Sequence, residues 1–248
     1  MIAFSLNSPL VFEHRFIGYS SEHFFILCFF CLSGLIYIRS LGKLNLEKQH
    51  RILFISAIVL ALVQLSRIPI LTINGQFNIE TDLPLHLCNF LPFAMIWSYG
   101  VRSEKIWSVM FFWIMLGCSQ ANFTPAVRES LFYYDAIRYW VVHAFLVILC
   151  LYPAINWNWK IKHIDIWRSL GWLHIVSAII YSINLATGGN YMYLNAKPAG
   201  TNFYSILPEW PYYILSLEFV ILALSYLLFG TFSVISRNKN ELSPKSSY

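Results

Sequence analysis

The groups in this chain able to act as nucleophiles, bases or proton carriers are few: five cysteines, seven histidines and twelve carboxylates. Cys88 sits in Leu83-Pro84-Leu85-His86-Leu87-Cys88-Asn89. A cysteine attacks carbonyl carbon as its thiolate, so such chemistry needs a base beside it and a third group to orient that base. Two histidines are candidates. In a regular helix His86 and Cys88 are two residues apart and point roughly opposite ways, which makes His86 a poor base, while His86 and Asn89 share a face. His143 shares a face with Val147 and Cys150 and is the better geometric candidate. Glu218 or Asp82 would orient its imidazole. The expected catalytic set is Cys88, His143 and Glu218.

The elements that must position these residues are membrane helices. Charged residues make up 12% of the 248 positions, against roughly 25% in an average soluble domain. Hydrophobic residues make up 58% and aromatics 18%, and the mean hydropathy is +0.58. Disorder and a solvated tail architecture are excluded on that composition. A net charge of +5 does not imply nucleic acid, because no stretch collects five basic residues and the charges fall between apolar runs. All five cysteines lie inside apolar runs at no zinc or disulfide spacing, so they read as thiols.

Seven apolar windows approach the ~20 residues a helix needs to cross a bilayer. They run about 24–38, 52–66, 84–101, 106–123, 139–152, 169–187 and 212–230, the second with room to extend past Arg67 and Pro69. The expected fold is all-α, a polytopic transmembrane bundle of seven helices over 23–236. It is preceded by an outer or interfacial segment, 1–22, with Val11 to Tyr19 held by Phe12, Phe16 and Tyr19, and no cleaved signal peptide is read there. A cytosolic polar tail follows at 237–248. Arg39, Lys43, Lys48, Arg51, Arg102, Lys105, Lys160, Lys162, Arg168, Arg237, Lys239 and Lys245 fall on one side of the spans. Arg15, Arg128, Arg138 and Lys197 fall on the other, with Arg67 at a span end. The positive-inside rule then places the N-terminus outside and the C-terminus in the cytosol of a cell membrane.

Depth along each span suggests which groups meet. From the outer ends, Cys88 lies roughly 6 Å down its helix, His143 roughly 7 Å and Glu218 roughly 9 Å. Asn122 joins that layer, and His86, Asn89, Gln120 and Asn184 lie near it. A stripe of His174, Ser177, Tyr181 and Asn184 should face the bundle interior. Outer loops bring Arg138, the polar and aromatic run Gly189 to Pro198 with Asn190, Tyr191 and Lys197, and Glu209 and Trp210. Such a loop would cap a cavity. The substrate-binding expectation is therefore His86, Asn89, Gln120, Asn122, Arg138, Asn190, Tyr191, Lys197, Glu209 and Trp210.

Plainer readings stand beside these. A membrane cysteine is usually an inert packing residue, intramembrane His, Asn and Glu often only join helices, and Glu209 to Tyr213 reads equally as an interfacial aromatic belt. The alternative function is a small-solute or proton-coupled transporter or sensor, with His86, His143, Glu218 and Arg67 around a polar cavity, although no inverted repeat is evident. A metal site ranks third, because hard and soft ligands are mixed without a fixed spacing. No metal and no cofactor is expected.

Several segments together resemble the YwaF-like family of bacterial integral membrane proteins. The LPLHLC stretch at Leu83 to Cys88 is similar to the opening of that family's third helix. Gly117-Cys118-Ser119-Gln120-Ala121-Asn122-Phe123-Thr124-Pro125 resembles its G-x-x-Q-x-x-x-T-P element, and Arg138 with His143 its R…H pattern. Asn190 to Leu194 with Lys197-Pro198, and Trp210 to Ile214 leading to Glu218, resemble its NYLYL…KP and WPWYIL…LE signatures. Eukaryotic relatives of that family include a cysteine-dependent acyltransferase acting on ether phospholipids. The resemblance implies an acyl-accepting Cys88, His143 as its base, and membrane lipids as partners, with a phospholipid donor and a lysolipid acceptor. It gives no oligomeric state.

Overall fold

The computed structural model describes residues 15–198 and 203–242. Nine α-helices are present among them: α1 (Ser21–Gly42), α2 (Leu46–Leu65), α3 (Arg67–Ile73), α4 (Leu87–Gly100), α5 (Glu104–Trp113), α6 (Ser119–Phe123), α7 (Tyr134–Asn156), α8 (His163–Thr187) and α9 (Tyr212–Leu242). No β-strand occurs among the described residues, and the isolated bridge is Arg15 to Glu129. A π-turn, Ile114–Cys118, joins α5 to α6. Short polar residues start α1, α2 and α5 as expected for N-caps. Ser20 accepts from the His23 N–H, Asn45 from that of Lys48 at 3.0 Å, and Ser103 from that of Ile106.

Six runs are long and apolar enough to cross a bilayer: α1, α2 with α3, α5 with the π-turn and α6, α7, α8, and Tyr212–Ile235 of α9. The chain is thus all-helical and multi-pass. The third expected span differs. Helix α4 has 14 residues, about 21 Å of rise, and begins at Leu87 because His86 is in extended conformation at its N-cap and Pro84 holds the preceding residue away from helical angles. The second span does extend past Pro69, as α3. The seventh helix continues to Leu242, into the segment expected to be a polar tail.

The core lies between α2, α4, α5 and α7. Leu53, Ala57 and Leu60 meet Leu91, Met95 and Tyr99, then Phe111, Ile114, Leu146 and Leu149, all buried in one cluster. Dispersion between close-packed side chains, rather than expulsion from water, must hold helices together in hydrocarbon. Polar ties add direction: Tyr99 Oη donates to Leu149 O at 2.6 Å and Trp107 Nε1 to Cys150 O at 2.8 Å. Trp113 Nε1 donates to Ser169 O at 3.2 Å, fastening α5 to α8. The outer faces of α1, α8 and α9 stay apolar and uncovered, with Phe24, Phe29, Trp172, Ile179, Leu215 and Phe219 exposed. That is the surface acyl chains would cover.

Of the expected interfacial segment, Val11 and Phe12 lie outside the described residues. Phe16 is buried against Trp140, with ring centroids 5.5 Å apart, whereas Tyr19 is exposed.

Candidate functional site

Because α4 starts late, Cys88 is the second residue of a helix rather than a residue one full turn inside it. The first N–H groups of a helix have no intrahelical acceptor, and no side chain caps this end: His86 instead accepts the Met192 N–H at Nδ1, 3.2 Å away. The Asn89 and Phe90 N–H groups turn back to the His86 carbonyl, and Cys88 itself lies at the positive end of the helix.

His143 comes from α7, nine residues beyond Tyr134 and so about 14 Å along that helix. Its ring is buried, and it lies near enough to the Cys88 thiol to interact with it electrostatically. For these two to meet, the first turn of α4 must lie level with the third turn of α7. The non-helical chain before Leu87 makes this possible by delaying the start of α4. His143 Nδ1 is 2.7 Å from the Tyr139 carbonyl. Since that oxygen can only accept, Nδ1 carries the proton and Nε2 presents its lone pair, the tautomer a base requires. Tyr139 further clamps the imidazole with its own ring, centroids 4.1 Å apart, and its hydroxyl donates to Ala121 O at 2.8 Å.

The orienting group is thus a backbone carbonyl and an aromatic ring, where a carboxylate was expected. Asp82 is held by Arg67 at 2.6 Å and by the Asn78 N–H at 2.8 Å. Glu218 is paired with His174 at 2.8 Å on the partly exposed faces of α8 and α9. The reason is packing: α9 lies at the rim, with little of its apolar surface covered, and its carboxylate meets the neighbouring helix first. The His174 stripe correspondingly does not face the interior at His174 or Tyr181, both exposed, although Asn184 at its outer end is buried.

Cys118 was missed as a site residue. Its thiol lies 3.2 Å from the Cys88 sulfur, and its side chain is fully buried. The π-turn ending at Cys118 carries its extra residue here, a feature frequent at functional sites. Asn122 belongs to the same cluster but acts on backbone, donating from Nδ2 to Cys118 O at 3.1 Å, while its own carbonyl takes the His23 ring at 2.8 Å. Gln120 is exposed and Asn89 half-buried.

The remaining expected binding residues are engaged in architecture. Arg138 donates to Gln64 Oε1 at 3.0 Å and pairs with Asp135, which also meets Arg67. Two arginines and two aspartates thereby balance in one network. The loop after α8 is tied down by its own polar groups. Asn190 Oδ1 accepts from the Asn195 and Ala196 N–H groups. Asn184 binds both the N–H and the carbonyl of Tyr191. Tyr191 Oη donates to Ile79 O at 2.6 Å and accepts from the Leu83 N–H at 2.9 Å, which fastens the loop to the chain entering α4. Burial pushes the Tyr191 phenol up, so it remains a donor. Lys197 reaches Leu207 O and Glu209, and Trp210 Nε1 reaches Leu194 O.

The loop leaves α8 through Gly188, in left-handed conformation at φ 78°, and Gly189, where a Cβ would stand 2.8 Å from Glu80 O. Met192 and Tyr193 follow at φ 56°, strained angles for non-glycine residues that persist only where surroundings enforce them. The strain turns the Tyr193 ring to within 5.2 Å of the His86 ring, beside the thiol. His86 is therefore a roof residue, packed edge-on against Tyr191 and tilted against Tyr193.

Residues 18–229 match the TMEM164 family. The chain belongs to that family. The match takes in every element described above except the far end of α9, so Cys88, Cys118, His143 and the roof loop all fall inside it. No curated protein and no solved structure matches the chain.

Proposed function

We propose that this member of the TMEM164 family is a cysteine-dependent acyltransferase acting on membrane phospholipids. The observation that carries the reading is the approach of His143 to Cys88 at an uncapped helix start. Acyl transfer makes use of each part. Nε2 of His143 takes the thiol proton, and the Cys88 sulfur attacks the ester carbonyl of a phospholipid. The oxyanion is met by the Leu87 and Cys88 N–H groups. The C–O bond breaks, the imidazolium returns its proton to the departing lysolipid oxygen, and an acyl thioester remains. A second lysolipid hydroxyl, deprotonated by the same nitrogen, attacks the thioester and restores the thiol.

Lipid as substrate is supported by the setting: the pair sits within a multi-pass bundle whose outer faces are apolar. The arrangement we propose has α4 and the extended chain before it completing a seventh crossing. The N-terminus then lies outside, the C-terminus in the cytosol, and the site in the outer half of a cell membrane. Arg67 and Glu218, invoked for a transport cavity, belong to separate ion-pair clusters, which leaves the acyl reading better supported.

The test is lipid profiling of cells carrying the wild type, Cys88→Ala and His143→Ala, together with a search for a hydroxylamine-labile acyl adduct on Cys88. A lipid profile indifferent to both substitutions, with no adduct, would overturn the proposal.

A further inference from the structure

Two thiols from different helices, 30 residues apart in the chain, stand with their sulfurs 3.2 Å apart. A disulfide requires about 2.05 Å, so each pair of side chains would need to close by only about 1.2 Å. Both backbones are placed where such a shift is least resisted. Cys88 lies in the first turn of α4, whose amides are not yet locked into the helical ladder. Cys118 ends the π-turn, where the next amide, that of Ser119, reaches back to Ile114 O and the regular spacing is already broken. Exposure divides the two roles. Cys88 is half-buried and within reach of His143, while Cys118 is enclosed behind it. A partly exposed thiol with a base nearby, backed by a sheltered second thiol, is the arrangement of an oxidisable pair with a resolving cysteine.

We propose that Cys88 and Cys118 form a reversible dithiol/disulfide modification site whose oxidant is a peroxide. The Cys88 thiolate attacks one peroxide oxygen, the O–O bond breaks, and hydroxide leaves as Cys88 becomes a sulfenic acid. The Cys118 sulfur then attacks the Cys88 sulfur, the S–O bond breaks, and the hydroxyl departs as water with the Cys118 proton. The expelled hydroxide takes up the proton that left the Cys88 thiol, so two thiols are oxidised by two electrons in all and one hydrogen peroxide is reduced to two molecules of water. The disulfide removes the nucleophile from service and shields it from irreversible sulfinic acid, and a dithiol reductant restores it. The inference rests on the thiol pair and not on acyl transfer.

Its test uses the intact protein in detergent, exposed to hydrogen peroxide, alkylated with N-ethylmaleimide and digested with trypsin without reduction. Cleavage after Arg67 and Arg102 isolates Cys88 as the sole cysteine of one peptide, and cleavage after Lys105 and Arg128 does the same for Cys118. The two free peptides should fall together as a linked species containing both appears, and dithiothreitol should return both. In Cys118→Ser the linked species should be absent, with a dimedone-trapped sulfenic acid on Cys88 accumulating in its place. The wild-type readout needs no variant, so a misfolded substitution leaves the test intact. Sulfenic or sulfinic acid on wild-type Cys88 without the linked species would overturn the proposal, as would linkage to Cys28 or Cys31 instead. The acyl adduct is read on the Cys88 peptide before peroxide is added, so failure of either proposal is visible without the other.

Discussion

Two histidines in this molecule begin from the same local geometry and end in different chemistry. His143 and His174 each place Nδ1 2.7 Å from the carbonyl four residues back, on Tyr139 and Leu170. In both, the helix itself fixes one nitrogen as a donor. What differs is the far side of the ring. His143 is buried at the meeting of α7 with α4 and faces a thiol, whereas the His174 side chain is 58% exposed at the rim and faces the Glu218 carboxylate. A carboxylate at Nε2 closes the ring into an ion pair when the imidazole is protonated, and a thiol leaves it a proton to take. The helix supplies the orientation, and the neighbouring helix supplies the role.

The largest break in that comparison should come from the buried pair. Cys88→Ala should abolish the acyl adduct, and His143→Ala should lower acyl turnover by roughly 10²- to 10⁴-fold, the usual contribution of a general base. His174→Ala and Glu218→Ala should each keep turnover within about threefold of wild type, far short of the loss expected on removing a general base. Lipid turnover in isolated membranes reads all four. Equal losses at His143 and His174 would end the distinction between the two regions.

A smaller effect is expected in the roof. Tyr191→Phe strips the bond to Ile79 O and leaves the Leu83 N–H without its acceptor, which should cost about 1 to 3 kcal/mol and slacken the chain entering α4. Thermal unfolding in detergent measures the cost, and alkylation of Cys88 should become faster as the roof opens. Replacing Gly189 with Ala forces a Cβ against the Glu80 carbonyl and should also lower the melting temperature, by a few degrees for about 1 kcal/mol in a chain of this size.

Smallest is the pH response of that roof. Burial raises the Tyr191 phenol above its ordinary value of 10.0, so the neutral, donating form is the one the fold prefers. Its contribution is fully present below pH 10.0 and is lost as pH rises through the higher folded value. Proteolysis between Gly189 and Pro198 should therefore be flat across neutral pH and rise only in strong alkali. A rise near pH 7 would mean that another group holds the loop.

Much of the framework was legible in the residues. Long apolar windows with few charges could be only membrane helices, and the second window could be seen to run on through Pro69, because helical hydrogen bonding must be satisfied within the segment when no water is at hand. Residue type and depth along the spans were enough to put Cys88 and His143 forward as a candidate pair. Glu218 was misplaced because depth along a helix says nothing about which neighbour stands opposite, and α9 packs at the rim beside α8. Asn190, Tyr191, Lys197 and Trp210 were read as ligands because a polar, aromatic loop could cap a cavity, and the sequence could not show that their partners are neighbouring loop, helix and backbone groups. Cys118 carried one signal, its place in the Gly117 to Pro125 run, but the π-turn that aims it at Cys88 has no mark in residue type.

By itself, then, the sequence determined the solvent of the fold, the helical form of its elements and the candidate thiol and base, since those follow from hydropathy and side-chain chemistry. Only the tertiary structure decided where α4 begins, and with it the rest of the site. That start depends on where the non-helical chain from Gly75 to His86 is held, above all by the Tyr191 hydroxyl, which binds Leu83 and Ile79 across 108 and 112 residues of sequence. Local propensity contributes nothing to contacts of that range, so the depth of one helix start, and the two sulfurs it brings together, became visible only in the folded chain.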